Sequence, residues 1–254
     1  MTRTAMLAAF FSLVVSVVSQ AGTITIVERE SSAENALFAG SGGAVQQDGD
    51  SDSTAAPTGP FSFSHSGSVQ VLESDPLSNG SASASGSISV AENVAQPTAG
   101  SLSITATRTA SSTAMWGSGT GTAQSYQSQE RRVRFTVNGD DATYTLTGDF
   151  DPGVITTVVG EAHSLRLYRP FTANVLVDVD SAATLNEAGL LLAGRTYEFR
   201  ILLNDRTRGS QSDPSNSDAS NFDIQFNVQS VPEPSTWLLA ALGVIAVLLV
   251  RRQS

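Results

Sequence analysis

The chain has no cysteine, and every basic residue is arginine, with lysine absent. The missing cysteine excludes disulfides, thiol catalysis and thiolate metal sites. An exported domain of this size would then be held by burial and hydrogen bonds alone. Histidine occurs twice, at His65 and His163, which leaves little imidazole for acid–base or metal chemistry. Charged residues are only 15% of the chain, which suits a cytosolic helical enzyme poorly. Positive charge is the scarcer sign, with 14 arginines against 24 acids and a formal net charge of −10. A surface this acidic repels nucleic acid and anionic headgroups, so no nucleic-acid partner is expected. What is abundant instead is Ser, Thr, Gly and Ala, which suits an exported β-protein.

The two ends read as addresses. Arg3 followed by the apolar stretch Ala5 to Val18 and then Ser19-Gln20-Ala21 has the layout of a secretory signal, with cleavage expected between Ala21 and Gly22. The far end reads Val231-Pro232-Glu233-Pro234-Ser235-Thr236, then an unbroken apolar run from Trp237 to Val250, then Arg251-Arg252. Those 14 apolar residues would make a helix of about 21 Å, short for a hydrocarbon core of about 30 Å. Trp237 and Val250 bound this expected membrane anchor, and Arg251 and Arg252 would stay cytoplasmic and fix its topology. Pro232 and Pro234 prevent the helix from continuing upstream and hold Glu233 in an extended, accessible strip. Without these ends the body keeps 11 arginines against 23 carboxylates, a formal charge of −12.

This C-terminal arrangement closely resembles the PEP-CTERM sorting signal. The resemblance covers residues 231–254 and rests on three parts in order: the Pro232-Glu233-Pro234 strip, the apolar helix 237–250 and the Arg251-Arg252 cluster. It implies export in a Gram-negative-type bacterium, recognition of the strip by a membrane-embedded exosortase, and removal of the tail. The body would pass through a periplasmic, inner-membrane-anchored stage and reach the outer surface or the extracellular matrix. The resemblance associates such proteins with extracellular polysaccharide and biofilm. It implies nothing about the fold or activity of the body.

Residues 22–60 look loosely ordered, because Gly40-Ser41-Gly42-Gly43 and Asp48-Gly49-Asp50-Ser51-Asp52-Ser53 are loop compositions. Within them Thr23–Val27 could open a strand. Residues 61–230 show a period of two, the mark of half-buried strands. The stripes are Phe61, Phe63, Val69 and Val71; Phe171, Ala173, Val175, Val177 and Val179; Tyr197, Phe199, Ile201 and Leu203; and Phe222, Ile224, Phe226 and Val228. Leu165 and Leu167 share a further face, and Ser81–Val90 and Ser101–Thr107 are weaker strands. Arg132–Thr147 reads as a hairpin turning at Asn138-Gly139-Asp140-Asp141. Leu185–Leu192 is the one stretch that suggests a helical turn. The sum is about eight to ten strands, an all-β fold of the antiparallel Greek-key sandwich type, jelly-roll-like. Leu191 to Tyr197 resembles a tyrosine corner and predicts a structural bond from the Tyr197 hydroxyl back to nearby backbone. The Ser81–Ser89 and Ser111–Ser128 tracts suggest loops or exposed edge strands.

No catalytic constellation emerges. The Asp48-Gly49-Asp50-Ser51-Asp52 spacing starts like a calcium loop, but Ser53 and Gly59 stand where its Gly and Glu are required. Asp178 with Asp180, and Asp149 with Asp151, read as solvated pairs. His65 is expected on a strand near the core edge and His163 in a loop, with no G-x-S-x-G elbow to accompany either. No metal, cofactor or catalytic residue is therefore expected. The leading expectation is a non-enzymatic, exported surface or matrix protein. The alternative is a carbohydrate-binding module for extracellular polysaccharide, with Trp116 and Tyr126 as a stacking platform. A hydrolase drawing acids from several loops is a third reading.

Overall fold

The computed structural model describes residues 22–41, 44–72, 80–118, 121–153, 163–211 and 215–231. They form twelve strands: β1 (Thr23–Ser41), β2 (Ala44–Thr54), β3 (Gly59–Leu72), β4 (Ser81–Ala95), β5 (Ser101–Ser118), β6 (Thr122–Asn138), β7 (Ala142–Asp151), β8 (His163–Tyr168), β9 (Val175–Val179), β10 (Ala183–Leu191), β11 (Arg195–Gly209) and β12 (Ser215–Ser230). No helix occurs among the described residues. The first sheet, A, runs β2-β1-β6-β11-β8-β9 and the second, B, runs β10-β7-β12-β5-β4-β3. Every pairing is antiparallel.

The alternation expected from the sequence is what joins the sheets. In β6 the odd-numbered residues from Ala123 to Val137 are buried and the even ones are half-exposed. In β12 Phe222, Ile224, Phe226 and Val228 point inward while Asp223 and Gln225 face solvent. Side chains of both sheets meet in one large apolar cluster, where Phe199 of sheet A stacks on Phe226 of sheet B with centroids 4.6 Å apart. Burying aromatic faces against each other in this way is a major stabilising contribution. Two smaller clusters lie further along the strands. One is built around Ala33, Phe61, Phe63 and Ile88, and the other around Leu37, Ala39, Ala84 and Ala123. In the second the residues are small and the sheets close on each other. A Cβ on Gly209 of β11 would lie 2.8 Å from the backbone nitrogen of Trp116 in β5. The sandwich is therefore thick near the chain ends and thin at the opposite end.

Several expectations give way. The described part of residues 22–60 is not loosely ordered: β1 is a 19-residue strand pairing with β6 from Thr23↔Asn138 to Gly40↔Thr122, and β2 pairs back onto it. Loop composition is tolerated there because β2 lies at a sheet edge and faces solvent along its length. Arg132–Thr147 is not a hairpin. Its Asn138–Asp141 corner carries the chain from sheet A to sheet B, so Phe135 and Tyr144 pack within the common core rather than on one sheet. Leu185–Leu192 is not helical, since Ala183–Leu191 is edge strand β10 on β7. Phe171 and Ala173 leave the predicted stripe: Phe171 lies in the β8–β9 turn with φ 62° and is 98% exposed. The Ser-rich tracts are interior strands β4, β5 and β6, and twelve strands replace the expected eight to ten. The corner at Tyr197 forms as expected. Its hydroxyl accepts from the Leu192 N–H at 2.7 Å and lies 3.4 Å from the Leu192 carbonyl, to which it donates.

Candidate functional site

A belt of buried charge crosses the interior between the apolar clusters. A bulge between Ile26 and Glu28 shifts the inward face of β1 from even to odd positions, so Arg29, Ser31 and Asn35 point in. Glu92 of β4 receives Arg29 and Ser31. Its Oε1 accepts from Arg29 Nε at 3.1 Å and Nη2 at 2.9 Å and from Ser31 Oγ at 2.9 Å. Arg29 Nη1 also donates to the Ala56 carbonyl at 2.9 Å. Arg131 Nη2 stands 2.7 Å from the same Glu92 oxygen, although none of the Arg131 N–H groups is aligned with an acceptor. Burial pushes the Arg131 guanidinium down to about 10; the Glu92 charge opposes that shift and the Arg29 charge adds to it. Two cations therefore share one carboxylate with no exposure to solvent.

The second buried group links four strands. Asp205 of β11 accepts from Arg108 Nη2 of β5 and from Ser220 Oγ of β12, each at 2.6 Å, and His163 Nε2 of β8 lies 2.9 Å from its other oxygen. Arg108 Nη1 also donates to Ser220 Oγ at 2.7 Å. Burial favours the neutral Asp205 acid, yet His163, the Arg108 charge and the Ser220 hydroxyl outweigh it and hold the carboxyl below its usual range. For His163, burial lowers the pKa, but the hydrogen bond and charge of Asp205 override it and raise the imidazole above its ordinary value. Arg108 is lowered by burial, which Asp205 only partly offsets.

This Ser, His and Asp do not form a nucleophilic triad. Such chemistry needs the serine bonded to the imidazole and open to a substrate. Here Ser220 bonds Asp205 and Arg108, and the His163 and Asp205 side chains are 1% and 3% exposed. The arrangement behaves as an internal brace. His163, expected in a loop, is instead the first residue of β8 and is buried. His65 lies on β3 as expected, 2.8 Å from Asn35 Nδ2.

The other candidates separate. Asp48, Asp50 and Asp52 lie on extended strand β2 rather than in a loop. Asp178 pairs with Arg166 at 2.7 Å, and Asp149 accepts from Thr184 Oγ1 at 2.8 Å. Among the described residues no three of His, Asp and Glu converge on a possible metal position. Trp116 and Tyr126 cannot form one platform. Trp116 shares the inward parity of Ala114 and Ser112 in β5, whereas Tyr126 faces outward from β6. Pro232, Glu233, Pro234, the 237–250 anchor, Arg251, Arg252 and Ala21 lie outside the described residues, while Gly22 is described and buried.

The outer face of sheet A carries rows of paired charge. Arg134 bonds Glu28 at 2.6 Å and Glu198 at 2.8 Å, and Arg132 bonds Glu28 at 2.9 Å and Glu30 at 2.6 Å. Arg200 bonds Glu130 at 2.7 Å. Tyr168 donates to Glu198 in the same row. At the thin end of this face lies an open trough of about 610 Å3, lined by Ala36, Phe38, Gln47, Gly49, Gln124 and Tyr126 among others.

Beyond its own geometry the chain has few likenesses. No curated protein matches it. Among solved structures it is similar to a GH31 alpha-xylosidase from Xanthomonas citri at 9% identity, over 85% of this chain and 28% of that one, with a TM-score of 0.20. So slight a likeness carries nothing about fold or activity. The model of the PEP-CTERM protein-sorting motif matches residues 230–253, beginning at the last residue of β12. The chain therefore carries a PEP-CTERM sorting motif directly behind its β-sandwich.

Proposed function

We propose that this is an exported, non-enzymatic surface or matrix protein, handled by an exosortase through Pro232, Glu233 and Pro234. In this reading residues 1–21 are a signal peptide removed before Gly22. Residues 237–250 form a temporary membrane helix, with Arg251 and Arg252 on the cytoplasmic side. The observation that carries the reading is the sorting motif across residues 230–253, placed where the last strand ends. Two features of the body agree with it. Val231 N–H donates to the Asp141 carbonyl at 2.8 Å, so the chain is held to the sandwich up to the residue before Pro232. Gly22 packs beside Asp140, so both ends of the body leave from the same end of the sandwich. A folded body would thus hang by one end from the membrane, with its thin end outermost. The sealing of His163, Asp205 and Ser220 supports a body without hydrolytic chemistry.

Intact-mass spectrometry of the exported protein tests the reading. The expected species begins at Gly22 and lacks the apolar tail. An exported form that retains residues 237–254 would rule out processing at the motif. Esterase and glycosidase screens on the same preparation are expected to be blank, and turnover that survives purification would overturn the non-enzymatic assignment.

A further inference from the structure

On the outer face of sheet A the guanidiniums of Arg132, Arg134, Arg166 and Arg200 each meet a carboxylate. Arg206 and Arg208 of β11, on the same face, meet none among the described residues. Arg206 Nη2 donates to Gln124 Oε1 at 2.8 Å, and Arg208 is exposed. The strand registers bring these two beside the trough. Ala36, Tyr126 and Arg206 form one cross-strand row, and Phe38, Gln124 and Arg208 form the next. Gln47 pairs with Phe38, and Gly49 with Ala36, so the row beside Tyr126 carries only small residues, and the Phe38 ring lies over Gly40. Asp48, the one acid lining the trough, turns its carboxylate away toward Gly67 and to within 3.9 Å of His65 Nε2.

We propose that this trough binds a carboxylated sugar, a uronate unit of an acidic polysaccharide. Tyr126 and Phe38 line the trough and supply apolar aromatic surface for the C–H face of a pyranose, with amphipathic character at the tyrosine hydroxyl. The Gln47 and Gln124 amides supply donors and acceptors for ring hydroxyls. Arg206 and Arg208 supply planar forks suited to a carboxylate. Cations that meet no carboxylate among the described residues, beside an aromatic trough on a body of formal charge −12, select for an anion that brings its own apolar ring, because general electrostatics here is repulsive. The open volume of about 610 Å3 suits one to two sugar rings lying along the surface. The trough lies at the thin end of the sandwich, away from Gly22 and Val231.

The test uses the full chain in mild detergent, tail attached, so that it stands apart from the sorting reading. Isothermal titration compares oligogalacturonate, a neutral galacto-oligosaccharide and poly-glutamate. Saturable binding of oligogalacturonate in preference to the other two is expected. Tyr126→Ala and the pair Arg206→Gln with Arg208→Gln should each weaken it about tenfold or more, while Arg195→Gln at the opposite end leaves it unchanged. All these side chains lie on the surface or half-exposed, and an unchanged thermal midpoint shows that a variant has folded. No saturable binding, equal binding of the neutral sugar or of poly-glutamate, or full affinity in both trough variants overturns the proposal.

Discussion

At the scale of single residues, the interior is governed by a few side chains with very different energetics. Phe226 is fully buried and touches the rings of Phe135, Tyr144 and Phe199 across both sheets. Phe226→Ala is expected to cost about 3–5 kcal/mol, read as a lowered urea midpoint; a loss below about 1 kcal/mol would mean the site collapses freely. His163 makes stability depend on pH. Its folded pKa is raised above the ordinary 6.5, so its contribution is complete below pH 6.5 and fades as pH rises through the folded value. Asp205 is depressed below 3.8, so its contribution is present above pH 3.8 and fades as pH falls through the folded value. The charged neighbours around them are Arg108 on β5 and Asp218 on β12. Urea unfolding should therefore show greater stability at about pH 5.5 than at about pH 8.5, and His163→Gln should remove most of that difference. Equal wild-type stability at both values would contradict the pairing. Phe226 was legible from its stripe, whereas nothing in the sequence marked Arg29, Arg108 and Arg131 as buried, because a buried guanidinium is recognised only by the carboxylate that a distant strand brings to it.

At the scale of elements, the period of two was legible wherever large apolar residues carried it, as in β11 and β12. It was faint where the inward residues are Ala and Gly, as over the first half of β4, because those types contrast little with their outward Ser neighbours. Pairing was less legible still. The Asn138-Gly139 corner carries a hairpin signature, but the strands on either side find better partners. β6 lies between β1 and β11, and β7 between β10 and β12. Which neighbours a strand takes depends on long-range registers that local turn chemistry does not encode. The β7 position is tightly specified at Gly148, whose φ is +126° and whose added Cβ would stand 1.9 Å from the Asp223 carbonyl oxygen. Gly148→Ala is expected to destabilise by at least about 1–3 kcal/mol and to loosen the β7–β12 ladder. Hydrogen exchange at Ile224 and Phe226 gives the check, and unchanged protection there would contradict it.

At the scale of the whole molecule, β1 and β2 complete sheet A and supply Arg29 and Ser31 to the buried belt. The sandwich therefore includes β1 and β2 and does not begin at residue 61. A fragment of residues 61–230 is expected to lose cooperative unfolding, because it exposes the long edge of β6 and leaves Glu92 and Arg131 without Arg29. A sharp thermal transition in that fragment, matching the full chain, would refute this boundary. The charge pattern also acts at this scale: on the outer face of sheet A, Arg206 and Arg208 at the thin end meet no carboxylate among the described residues.

The sequence by itself determined the strand period, the absence of thiol chemistry, the acidic surface and the sorting tail. Each of these depends on residue type and spacing along the chain, which need no partner to be expressed. The tertiary structure alone decided which sheet each strand joined, where β1 begins, which charges are buried and which arginines on the outer face of sheet A meet a carboxylate among the described residues. Those outcomes rest on contacts between residues far apart in the chain. Desolvation and pairing there are set by what the opposite sheet presents, not by neighbours in sequence.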